Sequence, residues 1–282
     1  MIVALLSWYD ERPEWLYELA VSLGEHGITH LAALDGAYAS LPGGQTQSPQ
    51  AQHDALWEGA KAARVGVTLG AIRPTTWASE MKKRAELFDL GRSVFETYGH
   101  TPSPHNHGDW FYIIDADEYV AASPSSIQDE LALAAANGYL AVEVPVYTPT
   151  FVVRGTEPKK YGGGYYRKFF RALPDLTCKG RHYTYTSPSA GLLWGQPHQR
   201  LVPSTTIEDF VVIHRNRPHD ARRVQQTQYY RERDLAGTEY DACDEDSCST
   251  PAARVFPDGH LACRKHAHLY AQRTGMRDTA RR

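Results

Sequence analysis

The sequence lacks an apolar run of the roughly 18 residues that a membrane-crossing helix needs. Its opening run, Met1-Ile2-Val3-Ala4-Leu5-Leu6, is too short for a signal peptide and has no basic start. Both absences point to a soluble, cytoplasmic chain with no membrane insertion. A strong excess of either charge is also missing, since 30 Lys and Arg face 33 Asp and Glu for a net charge of −3. That balance excludes a surface built as a whole for nucleic-acid phosphates, although a local basic patch remains open. Cysteine is scarce: four in 282 residues, three of them crowded into positions 243–263. Without a secretion signal, thiols stay reduced, so this clustering favours a metal over disulfides. No repeat with a period of 20–50 residues recurs. Finally, no glycine-rich basic loop follows the first apolar run. Ser7-Trp8-Tyr9-Asp10-Glu11 stands there instead, which counts against a nucleotidyltransferase cradling a triphosphate.

What is present alternates in period. Residues 2–6 suit a buried parallel strand, and Trp15, Leu16, Leu19, Ala20 and Leu23 line one face of a helix with Pro13 near its start. A strand over 28–34 ends at Asp35-Gly36. After a loop, Ser48 and Pro49 read as the N-cap and first turn of a helix to about 63. Further elements are a strand over 65–69, a helix over 79–98, a strand over 110–114, a helix start at Ser123-Pro124 and a strand over 140–146. This alternation predicts an α/β fold, a mostly parallel sheet flanked by helices. Residues 147–213 are richer in aromatics and short β-like runs, and a helix is expected over 221–234. Two units follow, a domain over 1–236 and a small module over 237–282.

The most informative stretch is the strand Trp110-Phe111-Tyr112-Ile113-Ile114 running into Asp115-Ala116-Asp117-Glu118. In open α/β sheets ligands gather beyond the carboxyl ends of the strands. Two carboxylates at i and i+2 leave such a strand together and can share a hard cation that still accepts phosphate oxygens. On its own, an Asp-x-Asp pair also ends many strands in a plain solvated turn.

Taken with its surroundings, the chain resembles the family 2 glycosyltransferases of the GT-A fold over residues 1–235. The resemblance rests on Ser7-Trp8-Tyr9-Asp10-Glu11, Asp35-Gly36, Lys82-Lys83-Arg84, Ile113-Ile114-Asp115-Ala116-Asp117-Glu118, Tyr166-Arg167-Lys168-Phe169-Phe170-Arg171, Arg181-His182 and Ile213-His214. It implies a Rossmann-like mixed sheet, a nucleotide-diphosphate sugar as donor, and Mn²⁺ or Mg²⁺ as cofactor. Ser7 and Asp10 would line the donor site. Asp35 would contact the nucleotide base, Arg84 the nucleotide or diphosphate, and Asp115 the ribose, with Asp115 also a second metal ligand in reserve. Asp117 would hold the metal, with His214 as a further metal or phosphate ligand. Arg215, in a run of arginines, would belong to a lid over the diphosphate, or to a solvated loop. The sequence departs from the family at His182-Tyr183, where relatives carry His-Glu, so the catalytic base is open among His182, Asp209, Glu208, Asp175 and Glu157. Trp194, Tyr161 and Tyr165 beside Gly162-Gly163-Gly164 suggest an aromatic platform for an acceptor, or loop packing.

The tail reads Cys243-x4-Cys248-x14-Cys263-x2-His266, a Cys₃His set suited to one structural Zn²⁺, with His260 and His268 as competing fourth ligands. A hairpin turning at Asp258-Gly259 is expected between the pairs, and a helix over 261–272. About forty residues bury little core, so metal would supply the stability that packing does not. The whole reads as a metal-dependent glycosyltransferase in the cytoplasm (of the host, for a phage-encoded chain). Its acceptor is a glycan, a protein or a modified base in phage DNA. The alternatives are a zinc-stapled nucleic-acid-binding protein and a nucleotidyltransferase.

Overall fold

A computed structural model describes residues 1–39, 43–103, 108–148, 162–179, 184–195 and 201–215, the strand pairs at 254–255 and 261–262, and residues 272 and 274. The elements in chain order are β1 (Ile2–Ser7), α1 (Pro13–Glu25), β2 (His30–Leu34), α2 (Gln50–Ala63), β3 (Gly66–Leu69) and α3 (Glu80–Thr97). Then follow β4 (Trp110–Asp115), β5 (Glu118–Ala122), α4 (Ile127–Ala136), β6 (Ala141–Thr148) and β7 (Gly162–Arg171). The short strands β8 (Thr177–Cys178), β9 (Tyr185–Ser187), β10 (Gly191–Trp194), β11 (Ser204–Thr206) and β12 (Val211–His214) complete the main body. Beyond it lie β13 (Arg254–Val255) and β14 (Leu261–Ala262).

One large sheet runs β3-β2-β1-β4-β7-β6-β12-β5, with β11 also on β6. The β3/β2, β2/β1, β1/β4, β6/β12 and β6/β11 pairs are parallel, and only β4/β7, β7/β6 and β12/β5 are antiparallel. The fold is therefore mixed α/β with a mostly parallel, curled sheet. No helix among the described residues is long and apolar enough to cross a membrane.

The sheet is buried on both faces, which explains why β1 is apolar at every position. Ile2, Ala4 and Leu6 face α1, α2 and α4, while Val3 and Leu5 face α3 and the small β8–β10 sheet. On the first face α1 and α2 come so close that a Cβ on Gly59 would lie 2.4 Å from the Tyr17 carbonyl oxygen. Glycine is required there by backbone approach. On the second face Phe88, Phe95 and Phe111 pack edge to face, with ring centroids 5.3 to 5.4 Å apart.

Four local expectations are corrected. Ser48 does not cap α2: Pro49 occupies the cap position, and the Ser48 hydroxyl donates to Asp35 instead. The helix expected at Ser123-Pro124 starts at Ile127, where the Ser126 hydroxyl accepts the Asp129 N–H at 3.2 Å. Glu118, read as the end of the acidic turn, opens the strand β5 (Glu118–Ala122), which pairs with β12 some ninety residues further on. Leu261 and Ala262 pair with Val255 and Arg254 as a strand, so no helix begins at 261, although the expected hairpin strands are present. The helix expected over 79–98 is α3, and Ser79 caps it, accepting the Lys82 N–H at 3.2 Å. The helix expected over 221–234 lies outside the described residues.

Candidate active site

The parallel strands β1, β2, β4, β6 and β12 end on the same side of the sheet, and the predicted residues stand at those ends. Register pairs Ser7 of β1 with Asp115 of β4. β5 turns back after Asp117 and pairs with β12, which sets His214 opposite Glu118. This long-range pairing brings the His214 Nε2 to 3.4 Å from the Asp117 Oδ2, and the Arg215 N–H donates to the Asp117 carbonyl at 2.7 Å. Asp117, His214, Asp115 and Ser7 thus form one cluster beyond the strand ends.

Buried charges hold the acidic turn from beneath. Glu118 is 3 % exposed and receives the Lys168 ammonium on both oxygens, at 2.8 and 2.6 Å. Its Oε2 also accepts the Asp115 N–H at 3.0 Å, which pins the turn. Burial, and then the neighbouring Asp115 charge, push the Glu118 carboxyl up against the pull of Lys168. Lys168 itself is held above its ordinary value, because Glu118 and Asp115 outweigh its burial. Asp115 goes the other way. Burial alone would raise it, but Arg84, Lys168 and His214 together hold it well below the usual carboxylate range. Its neighbours therefore favour the charged form of Asp115.

Arg84 reaches this turn from α3. Its Nη2 donates to Asp115 Oδ1 at 3.1 Å and its Nε to Glu80 at 3.0 Å, while Nη1 lies 3.5 Å from the Tyr185 hydroxyl. The Ser7 hydroxyl, by contrast, is buried with no hydrogen-bond partner among the described residues, as is the Trp8 indole N–H. Buried polar atoms of this kind ordinarily find a partner.

The loops after β1 and β2 form the adjoining wall. The Asp35 carboxylate accepts the Ser48 N–H and hydroxyl, each at 2.6 Å, and the His53 Nε2 lies 2.9 Å away. Asp10, in the left-handed region at φ 49°, donates its N–H to the Ser48 hydroxyl at 2.8 Å. Lys83 ties the two loops together. Its ammonium is buried and donates to the Trp8 carbonyl at 2.6 Å and the Gly36 carbonyl at 2.8 Å. Burial, opposed by the Asp35 charge, pulls it down to about 7.

Other predicted residues are not brought to this cluster. Arg215 turns toward α1, where Nη2 bonds Glu18 and the guanidinium lies over Tyr119 and Trp15, 4.5 and 5.4 Å from their centroids. Asp209 sits exposed in the turn before β12, at the far end of that strand from His214. At about 3.3 Å per residue the length of β12 alone sets them roughly 10 Å apart. Glu208 binds the Tyr165 hydroxyl, and Asp175 accepts from Ser187 and Ser189. His182, Glu157 and Tyr161 lie outside the described residues, as do Cys243, Cys248, Cys263, His266, His260 and His268.

Sequence reasoning missed Lys168 and Lys83 as organising cations, and His53 and Ser48 as partners of Asp35. Lys168 had a signal of sorts, a cation between Arg167 and Phe169-Phe170 in a strand whose burial would oblige it to find an acid. Among the described residues no group of three or more His, Cys, Asp or Glu is placed to hold a metal ion by itself. A search against family models and another against curated proteins each return no match for this chain.

Proposed function

We propose that this protein is a metal-dependent glycosyltransferase that takes a nucleotide-diphosphate sugar as donor. The observation that carries the reading is the Asp117–His214 pair, 3.4 Å apart at the carboxyl ends of parallel strands beside an ionised Asp115. Two adjacent ligands of an octahedral ion, each about 2.1 Å from it, stand about 3 Å apart, so a small closure fits Mn²⁺ or Mg²⁺. Such an ion usually keeps few protein ligands and completes its shell with phosphate oxygens and water, which agrees with a pair rather than a cage. Bound there, it would offset the negative charge that grows on a departing diphosphate.

The chain's own groups supply the rest. Asp115, kept charged by Arg84 and Lys168, is an acceptor for ribose hydroxyls. Arg84 acts through it, orienting the carboxylate rather than lying open to the phosphates. The Ser7 hydroxyl, buried and without a hydrogen-bond partner among the described residues, stands at the same strand edge as Asp115. Lys83 and Asp35 hold the two loops that would wall the nucleotide. The Cys243, Cys248, Cys263 and His266 set is proposed as a structural Zn²⁺ site, supported by its spacing and by the strands of the intervening hairpin.

The test is a thermal-shift panel of UDP-, GDP-, dTDP- and CMP-linked sugars with and without Mn²⁺. One nucleotide class should stabilise the wild type only with metal, and Asp117→Asn should abolish that shift. An Asp117→Asn protein that binds and transfers normally, or a wild type that responds to no donor, overturns the reading.

A further inference from the structure

The loops after β1, β2 and β3 meet at one buried cation, the ammonium of Lys83 on α3. Lys83 is 1 % exposed, and it donates to the Trp8 carbonyl at 2.6 Å and to the Gly36 carbonyl at 2.8 Å. Trp8 directly follows β1 and Gly36 stands just past the end of β2, so the ammonium lies at the strand ends that carry the proposed donor site. Two rings from these loops flank it, with the Tyr38 and Trp77 centroids 5.7 and 6.0 Å away. Trp77 fastens the third loop, donating its indole N–H to the Asp35 carbonyl at 2.7 Å. Gly36 is held between the ammonium and the far side of its own loop, where a Cβ would lie 2.5 Å from the Thr46 carbonyl oxygen.

The charged groups that act on this ammonium have partners of their own. The Asp35 carboxylate accepts the Gly36 N–H at 2.6 Å and both Ser48 donors at 2.6 Å, and it faces the His53 Nε2 at 2.9 Å. That is about as many bonds as a carboxylate takes. Glu80 accepts from Arg84 at 3.0 Å. Lys83 thus rests on two neutral carbonyls. Burial is the main force on it and pulls it down to about 7, with Asp35 and Glu80 opposing and Arg84 adding to the fall.

An anion arriving at these strand ends changes that balance. The negative charge of a nucleoside diphosphate favours the charged form of a nearby lysine. The charged form in turn pulls harder on both carbonyls, and so tightens the loops around the ligand. Linkage makes the two events reciprocal: the ligand raises the affinity of Lys83 for a proton, and the proton raises the affinity for the ligand.

We propose that Lys83 is the positioning residue of the donor site: its ammonium draws the loops after β1 and β2 together around an anionic nucleotide, which binds along with one proton taken from solvent by the Lys83 amine. This rests on the glycosyltransferase reading of the adjoining cluster.

The experiment is isothermal titration calorimetry on the full chain with UDP, GDP, dTDP and CDP under saturating Mg²⁺, in two buffers of different ionisation enthalpy. The nucleotide that binds should do so about fourfold more weakly at pH 8.5 than at pH 7, the change expected when the ligand raises Lys83 by about one pH unit. Its binding heat at pH 8 should depend on the buffer, which reports uptake of part of a proton. Lys83→Arg, charged throughout this range, should lose the uptake and flatten the pH dependence, while Lys83→Met should lose the uptake and bind weakly at both pH values. Lysine ¹³Cε NMR of the wild type gives a measurement that needs no binding by a variant. The Lys83 signal, assigned by its loss from the Lys83→Met spectrum, should move toward the ammonium position when the nucleotide is added at pH 8. An affinity that is flat with pH, uptake retained in either variant, or a Lys83 signal that ignores the nucleotide overturns the proposal. Binding without proton uptake overturns it and leaves the transferase reading standing, whereas a wild type that binds no nucleoside diphosphate overturns both.

Discussion

Removing the Lys168 ammonium isolates a buried carboxylate directly beneath the acidic turn. In Lys168→Met, Glu118 keeps its backbone bond from Asp115 but loses the cation that meets both its oxygens at 2.8 and 2.6 Å. Both side chains are buried, 9 % and 3 % exposed, so water does not replace the lost partner. Breaking one side of such a pair costs about 3–5 kcal/mol, whereas replacing both partners is often close to neutral. Glu118→Gln combined with Lys168→Met should therefore recover most of the loss, since Gln still accepts the Asp115 N–H without carrying charge. The deficit should also depend on pH. Burial already raises the folded pKa of Glu118, so its contribution is greatest in acid and declines as pH rises through that value. Without Lys168 the value rises further, and the deficit should widen between about pH 5 and pH 8. Urea unfolding at several pH values, with the m-value checked for constancy, measures all three quantities. A Lys168→Met loss below about 1 kcal/mol, or a double variant no better than the single one, would refute the account of the turn as charge-supported.

Lys83 predicts the opposite trend with pH. Its folded pKa is lowered to about 7, so the unfolded chain binds more protons above that value, and stability from this group rises with pH toward its ordinary range. Relative to Lys83→Met, the wild type should gain on the order of 2 kcal/mol between pH 7 and 9 in chemical denaturation, and a flat difference would contradict the burial. Gly59→Ala improves helix propensity by about 1 kcal/mol yet should destabilise by roughly 1–3 kcal/mol, because its Cβ meets the Tyr17 carbonyl oxygen at 2.4 Å. An unchanged or raised Tm would show that α1 and α2 can part freely. Purified protein should carry one Zn²⁺ per chain by metal analysis and lose it in Cys263→Ser. Metal-free wild type would remove the zinc assignment.

Much of this molecule was legible along the chain, because the relevant physics is local. Apolar runs buried on both faces announced β1 and β4, the helix expected from about Ser79 is α3, and the acidic pair stands at the end of β4. The Asp258-Gly259 turn placed a hairpin whose strands β13 and β14 are present. What stayed hidden depended on partners far away. β5 had no signal of its own until β12, some ninety residues later, pairs with it and carries His214 to Asp117. Asp35 reads as open to ligand until Ser48 and His53 fill its oxygens. Arg215 reads as part of a diphosphate lid or of a solvated loop until the fold sets it against Glu18 and Tyr119. Residue type determined which groups can carry charge, bind metal or stack on a sugar. Tertiary structure alone decided which of those charges meet, since pairing free energies depend on separation and burial that no local pattern encodes.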